Sequence, residues 1–445
     1  MVLKHTIGKL KNNMKYLLIK SKCISSVTVM FGVKVGSKNE IKKHRGISHF
    51  IEHLLFKGTE KRLTSKNISN VLYEHGANFN ASTGYEVTNY YVTIDSDYIL
   101  DAIDVLSDML FHSVLDKVEV EKEKKVVISE HKRSRSDPGS KLQSSLDKLL
   151  YKDTNYSYDI CGIDEDIKNM TRNMIVNYLL YFYKPNNIIV AVSGNYKYSN
   201  TKLVSILNEY FGKKMTHYLK GRPKITKSLQ YTTSSYSNFY KQQTSFQYIH
   251  KKDNTSQAFI SIAFPCYDGK SKNIYALDII SNILGGNMSS RLFIKLREEK
   301  GLIYNVRASY NEYSDIGSFI ISCSTFGDEA SILQCINIII NEISDLRKNI
   351  VSLKELNRAK NYINGDTLLY LDDSANLVEK YLDDLLLYKK IKLYNEYKKN
   401  INLQSGTMIQ NIADNVFKKE KCNIGILSKQ NISKKKINHL ISKYI

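Results

Sequence analysis

Two histidines and a glutamate lie close together near the N-terminus, in the segment GISHFIEHLLFKGT at residues 46–59. His49 and His53 are four residues apart, so on a helix both imidazoles project from one face and can bind one metal ion. Glu52 projects on nearly the same side and can act as a general base on a water molecule without being a ligand. The apolar neighbours predict a buried helix, in which these polar groups need a partner.

A purely structural role for this triplet is also open. Two core histidines and a glutamate can satisfy one another by hydrogen bonds. A chain with ten histidines contains this five-residue pattern by chance in roughly one case in a hundred. The pattern alone therefore favours a metal site without excluding the structural alternative.

A hydrolytic zinc site needs a third protein ligand and an open position for water. The segment EKEKKVVISEH at residues 121–131 supplies two candidates, Glu123 and Glu130. They are seven residues apart, which is two helical turns, so both carboxylates fall on one face of the predicted helix. Most carboxylates on so charged a helix are solvated, and the spacing alone does not distinguish a ligand from a surface charge.

The elements that must position these residues occur twice along the chain. The first half begins with two stretches of strand composition, a helix around the histidines, and a second pair of strands broken at Gly84. A polar stretch with few aliphatic residues follows, and the second half then repeats strand, helices and strands in the same order. We predict an α+β fold of two similar domains, each an antiparallel-rich β-sheet packed with helices.

The predicted domain limits follow this repeat. Residues 1–215 form the N-terminal domain with the candidate metal site, residues 216–255 a basic and polar linker with a frayed strand, and residues 256–445 a similar C-terminal domain. The total of 445 residues is ample for two large cores.

Composition excludes several classes of protein. Hydrophobic residues make up 42% of the chain, too many for a disordered protein, and no apolar run approaches the ~20 residues that span a bilayer. The six cysteines are scattered without a Cys-x-x-Cys pair, which argues against a disulfide framework. The N-terminus resembles neither a signal peptide nor a transit peptide. We expect a soluble protein of the cytoplasm or another reducing compartment, with no membrane insertion.

The formal net charge of +21 arises from 65 Lys and Arg against 44 Asp and Glu. Such a charge favours phosphate contacts, but the abundance of Lys, Asn, Ile and Tyr is also what an A+T-rich coding bias produces. No Arg-rich run, zinc knuckle or aromatic and basic motif accompanies the charge. We therefore expect no nucleic-acid partner.

The order His49-x-x-Glu52-His53, followed by Glu130 77 residues after the second histidine, resembles the inverted zinc motif of the M16 metallopeptidases. This family includes pitrilysin, insulinase and the mitochondrial processing peptidase. Further similar segments are YEVTNYY at 85–91, YKPNN at 183–187 and GGNMSSRLF at 285–293. The resemblance extends from about Leu10 to about Ser428 and is to the short members of the family.

The resemblance implies roles for the candidate residues. His49, His53 and Glu130 would bind one zinc ion per chain, and Glu52 would take a proton from a water molecule and pass it to the leaving amine. Glu123 would orient His53 by accepting its other ring N–H, as carboxylates commonly do for metal-bound imidazoles. No organic cofactor is implied.

The resemblance also implies four substrate-binding residues. Asn80 and Ala81 match an edge strand to which an extended peptide adds as a further strand. Arg297 and Tyr304 match a pair that contacts the substrate near the scissile bond, and this assignment depends almost wholly on the resemblance.

The function that the resemblance implies is a zinc endopeptidase acting on peptides or unfolded segments inside an enclosed chamber. The family builds that chamber from four related domains, and this chain supplies two, so we expect a homodimer or a heterodimer with a related subunit. The alternative is a catalytically weak scaffold or partner subunit of a heterodimeric M16 peptidase. Basic peptides are expected to be poorer substrates if the chamber wall shares the positive charge.

Overall fold

A computed structural model describes residues 4–21, 24–212, 231, 235, 236, 239 and 242–444. The chain forms two compact units. Unit 1 comprises the described residues within 1–131, 158–234 and 368–392, and unit 2 those within 132–157, 235–367 and 393–445. Each unit has its own hydrophobic core.

The described residues form eleven strands and sixteen α-helices. The strands are β1 His5–Lys9, β2 Lys15–Lys20, β3 Ser26–Val33, β4 Asn78–Thr83, β5 Thr88–Asp95, β6 Ile188–Gly194, β7 Gln247–Lys252, β8 Gln257–Cys266, β9 Ile303–Glu312, β10 Gly317–Phe326 and β11 Asn423–Ser428. The helices are α1 Ile47–Leu55, α2 Ser65–Tyr73, α3 Ile99–His112, α4 Lys117–Ser136, α5 Pro138–Leu150, α6 Asp164–Asn169, α7 Arg172–Phe182, α8 Asn200–Tyr210, α9 Ile274–Gly285, α10 Arg291–Phe293, α11 Glu329–Lys348, α12 Leu353–Leu371, α13 Ser374–Tyr388, α14 Tyr394–Leu403, α15 Gly406–Val416 and α16 Lys434–Tyr444. A π-helical turn, Ile294–Glu298, directly follows α10.

Unit 1 contains a six-stranded sheet in the order β1-β2-β6-β3-β5-β4. Only β2 and β6 are parallel, and every other neighbouring pair is antiparallel. The central strands β3 and β6 are rich in β-branched residues and almost wholly buried, as strands covered on both faces must be. Strand β4 lies at the edge and contacts α1, so the helix with the two histidines lies beside an unpaired strand edge.

Unit 2 repeats this arrangement with five strands in the order β7-β11-β8-β10-β9. The pair β7 and β11 is parallel and the other pairs are antiparallel, so these strands take the places of β2, β6, β3, β5 and β4. Helix α9 follows β8 and contacts the edge strand β9, as α1 follows β3 and contacts β4. The predicted fold class, two similar α+β units with antiparallel-rich sheets, is confirmed.

Each unit also takes one helix from the distant part of the chain. Helix α13, from the C-terminal half, packs in unit 1 on β3, β5 and β6, and α5, from the N-terminal half, packs in unit 2 on β8 and β11. In both contacts the helix comes close to a glycine of the strand. A Cβ atom on Gly32 of β3 would lie 2.3 Å from Leu382 of α13, and one on Gly425 of β11 would lie 2.9 Å from Leu142 of α5.

The predicted domain limits at residues 215 and 256 stay a prediction. Each compact unit is assembled from three separate segments of the chain. Most of the predicted linker, including residues 216–230, lies outside the described residues. Its last part contains β7, which pairs in regular parallel register with β11. Within the described ranges, none of the helices combines the length and apolar character that a membrane crossing requires.

Candidate metal centre

Helix α1 buries one face and directs its polar residues to the other. Its apolar residues lie in the core of unit 1, namely Ile47, Phe50, Ile51, Leu54 and Leu55. His49, Glu52 and His53 lie at i, i+3 and i+4 and are only partly buried, so they share the face that the apolar residues leave open. The spacing seen in the sequence thus gives the predicted clustering of all three side chains.

The structure brings His49 and His53 together with Glu130 of helix α4. One donor atom from each of the three side chains lies within 4.8 Å of the others. The two imidazole Nε2 atoms are 3.3 Å apart, and Nε2 of His53 is 3.4 Å from Oε2 of Glu130. No other group of three or more His, Cys, Asp or Glu side chains with this convergence occurs in the described part of the chain.

Glu123, the other predicted carboxylate of α4, contacts the far side of His53. Nδ1 of His53 lies 2.8 Å from Oε1 of Glu123, and Nζ of Lys57 lies 2.7 Å from Oε2. Burial opposes ionisation of Glu123, but hydrogen bonds from His53 and Lys57 outweigh it and lower the pKa of this carboxyl. An ionised Glu123 accepts the Nδ1–H of His53, which leaves Nε2 of a neutral His53 with a bare lone pair.

These contacts fit a bound cation. Burial opposes protonation of His53, but the hydrogen bond and the charge of Glu123 outweigh it and raise the pKa of His53. The position between Nε2 of His53, Nε2 of His49 and the carboxylate of Glu130 therefore favours a positive charge, which either a proton on His53 or a bound cation can supply. Burial, followed by the charge of His53, lowers the pKa of His49 to about 4, so His49 is neutral at pH 7 and able to act as a ligand. Two imidazoles and one carboxylate are a donor set that zinc accepts in hydrolytic sites.

His49 is held less firmly than His53. Its Nδ1 atom is buried and has no hydrogen-bond partner among the described residues. Metal-bound imidazoles usually donate this second N–H to a carboxylate or a carbonyl oxygen. The orientation of the His49 ring therefore depends on the backbone of α1.

The side chain of Glu52, on α1, contacts the edge strand β4. The hydroxyl of Thr83, the last residue of β4, donates a hydrogen bond to Oε2 of Glu52. Burial raises the pKa of Glu52, and the hydrogen bond from Thr83 only partly opposes this. A carboxylate with a raised pKa is a stronger base, which suits it to accept a proton near neutral pH.

Asn80 and Ala81 lie on β4, at the edge of the sheet as predicted. The backbone N–H of Ala81 donates to Oδ1 of Asn80 at 2.9 Å. Side chains alternate along β4, so Phe79, Ala81 and Thr83 are half-buried while Asn80 is exposed. The backbone N–H of Ala81 therefore has a side-chain acceptor, Oδ1 of its neighbour Asn80.

Arg297 and Tyr304 contact each other within unit 2. Arg297 lies in the π-helical turn, and its Nη1 donates to the carbonyl oxygen of Tyr304 at 2.8 Å. Its guanidinium carbon is 4.9 Å from the centre of the Tyr304 ring. The Tyr304 residue is 76% exposed, so the pair presents an aromatic ring and a cation to solvent.

Sequence reasoning did not identify Lys57 or Thr83. Lys57 could have been found, because it lies four residues after His53 and so shares its face of the predicted helix. Thr83 had no signal in the sequence, since its contact with Glu52 depends on how β4 packs against α1.

Solved structures share the two-unit fold of this chain. A crystal structure of a protease from Helicobacter pylori superposes with a TM-score of 0.84 and 22% identity, covering 96% of this chain and all of that one. A putative M16-like peptidase from Alicyclobacillus acidocaldarius superposes with a TM-score of 0.79 and 18% identity, covering 96% of this chain and 99% of that chain. At this identity the likeness establishes the fold.

Two family models match the sequence and together cover more than half of it. The model described as insulinase, peptidase family M16, matches residues 15–163, and the model described as the peptidase M16 inactive domain matches residues 169–363. An uncharacterized zinc protease, YmxG of Bacillus subtilis, is 29% identical over 408 residues, covering 92% of this chain and 94% of that protein. An uncharacterized zinc protease of Rickettsia felis is also 29% identical, with the same coverage. The chain belongs to the M16 family, as its sequence motif predicts.

Proposed function

We propose that this chain is a zinc-dependent endopeptidase that cleaves peptides or unfolded segments inside an enclosed chamber. The observation that carries the proposal is the convergence of His49, His53 and Glu130. Glu52 lies on the same face of α1 and interacts electrostatically with His53 and Glu130. The names of the related zinc proteases support the same class of activity.

Each residue of the site has one task in this proposal. When bound by His49, His53 and Glu130, zinc would supply a Lewis acid that polarises the scissile carbonyl group and acidifies a water molecule. Glu52 accepts the proton of the attacking water on its carboxylate, holds it, and donates it to the leaving amine. Glu123 keeps the Nδ1–H of His53 directed away from the metal position.

Strand β4 offers a binding edge for an extended substrate. A peptide that adds to this edge as a further strand gains main-chain hydrogen bonds with little dependence on its sequence. The N–H of Ala81 is one donor at this edge, and Asn80 would have to release it to the substrate. Because Thr83 of the same strand contacts Glu52, a peptide on β4 would run beside the proposed general base.

The experiment that tests this function measures metal content and cleavage together. We expect the purified chain to bind one zinc ion and to cleave an unstructured reporter peptide in a chelator-sensitive reaction. Glu52→Gln removes the proton acceptor and is expected to lower the cleavage rate by about 10²- to 10⁴-fold without loss of zinc. Glu74→Gln, on an exposed glutamate of unit 1, is the matched control and keeps the full rate.

Two results would contradict the proposal. Wild-type cleavage by Glu52→Gln would exclude Glu52 as the general base. Zinc binding without any cleavage by the wild-type chain would favour the scaffold or partner-subunit alternative.

We also propose that the chain works as a dimer in which Arg297 and Tyr304 serve the metal site of the other subunit. The exposed ring and cation of this pair are suited to contact a bound peptide. Mixing Glu52→Gln chains with Arg297→Ala chains tests the arrangement, because one of the two sites in a mixed dimer then has both functional residues. Recovery of activity on mixing supports a site shared between subunits, and no recovery contradicts it.

A further inference from the structure

Glu40 is a buried carboxylate that contacts the beginning of helix α1. It is completely inaccessible to solvent. Its Oε2 accepts the backbone N–H of Gly46 at 2.7 Å, and its Oε1 accepts the backbone N–H of Ser48 at 2.9 Å. These N–H groups belong to the first turn of the helix, which has no acceptors for them within the helix itself.

A capping side chain at the usual position is excluded here. The residue before α1 is Gly46, which has no side chain and a φ of +84°. A Cβ atom on Gly46 would lie 2.5 Å from the carbonyl oxygen of Cys161, so Ser, Thr, Asp or Asn cannot replace it without a shift of the backbone. Glu40, six residues before Gly46, therefore accepts the backbone N–H groups that an N-cap side chain would otherwise accept.

The first turn of α1 is fixed a second time by Ser48. Its hydroxyl lies 2.8 Å from the hydroxyl of Tyr178, which is fully buried. Burial opposes ionisation of Glu40, and the hydrogen bonds from Ser48 and Gly46 favour it. Placing a carboxyl group here is thus costly, and a helix cap supplied by an exposed residue would avoid that cost.

The residue directly after Ser48 is His49, the ligand whose ring lacks a second hydrogen bond. His53 is oriented by Glu123, whereas Nδ1 of His49 has no partner among the described residues. His49 projects from the first turn of α1, and Glu40 holds the backbone of that turn. A metal site requires its ligands within about 0.5 Å of the productive geometry.

We propose that Glu40 is a positioning residue of the metal centre, whose carboxylate fixes the first turn of α1 so that His49 stays at the distance from His53 that one zinc ion requires. This inference rests on the proposed zinc-dependent function. Glu40 itself contacts neither the metal position nor the substrate.

The test measures zinc affinity by competition with a chelator in the full-length chain. Glu40→Gln keeps the size of the side chain but replaces one acceptor oxygen with an amide that cannot accept. We expect zinc affinity to fall by about 10- to 100-fold, the effect typical of residues that orient a ligand. We also expect cleavage by this variant to recover as buffered free zinc is raised. Because zinc binding also stabilises any folded chain, the urea midpoint of the zinc-free variant is measured alongside and should stay close to that of the zinc-free wild type.

Asp328→Asn is the matched control. Asp328 caps helix α11 in unit 2, where its carboxylate accepts the N–H of Ser331 at 2.9 Å. This variant exchanges an acid for its amide at a helix cap that holds no site residue, and the amide oxygen can still accept the N–H of Ser331. Zinc affinity should stay within twofold of wild type. If Glu40→Gln does not unfold cooperatively, Glu40→Asp, which keeps the acid but shortens its reach, carries the same measurement.

The outcomes separate this inference from the proposed function. Wild-type zinc affinity in a folded Glu40→Gln or Glu40→Asp chain would overturn the positioning role alone. An equal loss of affinity in Asp328→Asn would also overturn it, because the effect would then be one of global stability. A wild-type chain that binds no zinc would overturn the proposed function and this role with it.

Discussion

Helices α1 and α9 take the same place in two sheets of the same strand order, but their polar residues differ. Helix α1 directs His49, Glu52 and His53 from its open face, while α9 carries Asp278, a half-buried residue whose carboxylate accepts a hydrogen bond from the hydroxyl of Tyr397. One carboxyl group with a hydroxyl partner needs no metal. The shared scaffold therefore supplies an edge strand and a supporting helix twice, and the metal chemistry of unit 1 depends on a few side chains added to it.

The largest expected difference between the two helices is in metal binding. His53→Ala removes a ligand, so the chain should lose its zinc, and its cleavage rate should fall by at least about 10³-fold because the Lewis acid is lost. Asp278→Asn, at the counterpart helix, should keep one zinc per chain. Metal analysis of both proteins measures this. Loss of zinc from Asp278→Asn would contradict the conclusion that metal binding depends on the side chains of α1 and not on those of α9.

A second comparison concerns two buried glutamates that each bind a lysine. Glu123 of unit 1 contacts Lys57 and His53, and Glu342 of unit 2 contacts Lys295. Glu123→Gln should weaken zinc binding by about 10- to 100-fold, because the amide orients the imidazole of His53 poorly. Glu342→Gln should lower the unfolding temperature and leave zinc affinity unchanged. Equal zinc affinities in the two variants would contradict the orienting role of Glu123.

The third comparison concerns α13 and α5, the two helices that each pack on a sheet built from a distant part of the chain. Gly32→Ala places a methyl group against Leu382 and should lower the free energy of unfolding by roughly 1–3 kcal/mol. Gly425→Ala has more room against Leu142 and should fall at the lower end of that range. Urea denaturation of both variants measures the two values. A larger loss for Gly425→Ala would show that α5 packs more tightly than α13.

The last comparison concerns a dependence of the free energy of unfolding on pH that arises in unit 2. Burial raises the pKa of Asp278 from 3.8 to about 7, so the folded chain binds a proton there that the unfolded chain releases. The free energy of unfolding therefore falls as pH rises from about 4 to about 7, by at most about 1.4 kcal/mol per pH unit from this group. Denaturation at several pH values should show a shallower decline for Asp278→Asn. An unchanged slope would mean that Asp278 has its ordinary pKa in the folded chain.

The sequence predicts most of the metal centre because much of it is local. The i, i+3 and i+4 spacing places His49, Glu52 and His53 on one face of any helix that contains them. The helix predicted around residues 121–131 lies within α4, which carries Glu123 and Glu130. Glu40 and Thr83 could not be assigned a role in this way. Their contacts with α1 form only after separate segments pack together.

The sequence also does not predict that α5 packs in unit 2 and α13 in unit 1. Periodicity shows that a helix has an apolar face, but both sheets present a similar apolar surface, and nothing in the pattern says which of them a helix covers. In the sequence, the sites where α13 and α5 approach their sheets are marked only by Gly32 and Gly425. An isolated glycine in a strand can equally mark a bulge or a sharp bend.

Helix α13 has a consequence for the order in which the protein matures. The strands of unit 1 are complete once residue 194 has been synthesised, but the helix that covers β3 and β6 ends at residue 388. A nascent chain therefore carries the whole candidate metal site long before its sheet is covered. Protein synthesis must run through most of the second unit before the first can finish folding, so a ribosome that stalls midway releases a chain with an exposed apolar sheet rather than a free-standing peptidase.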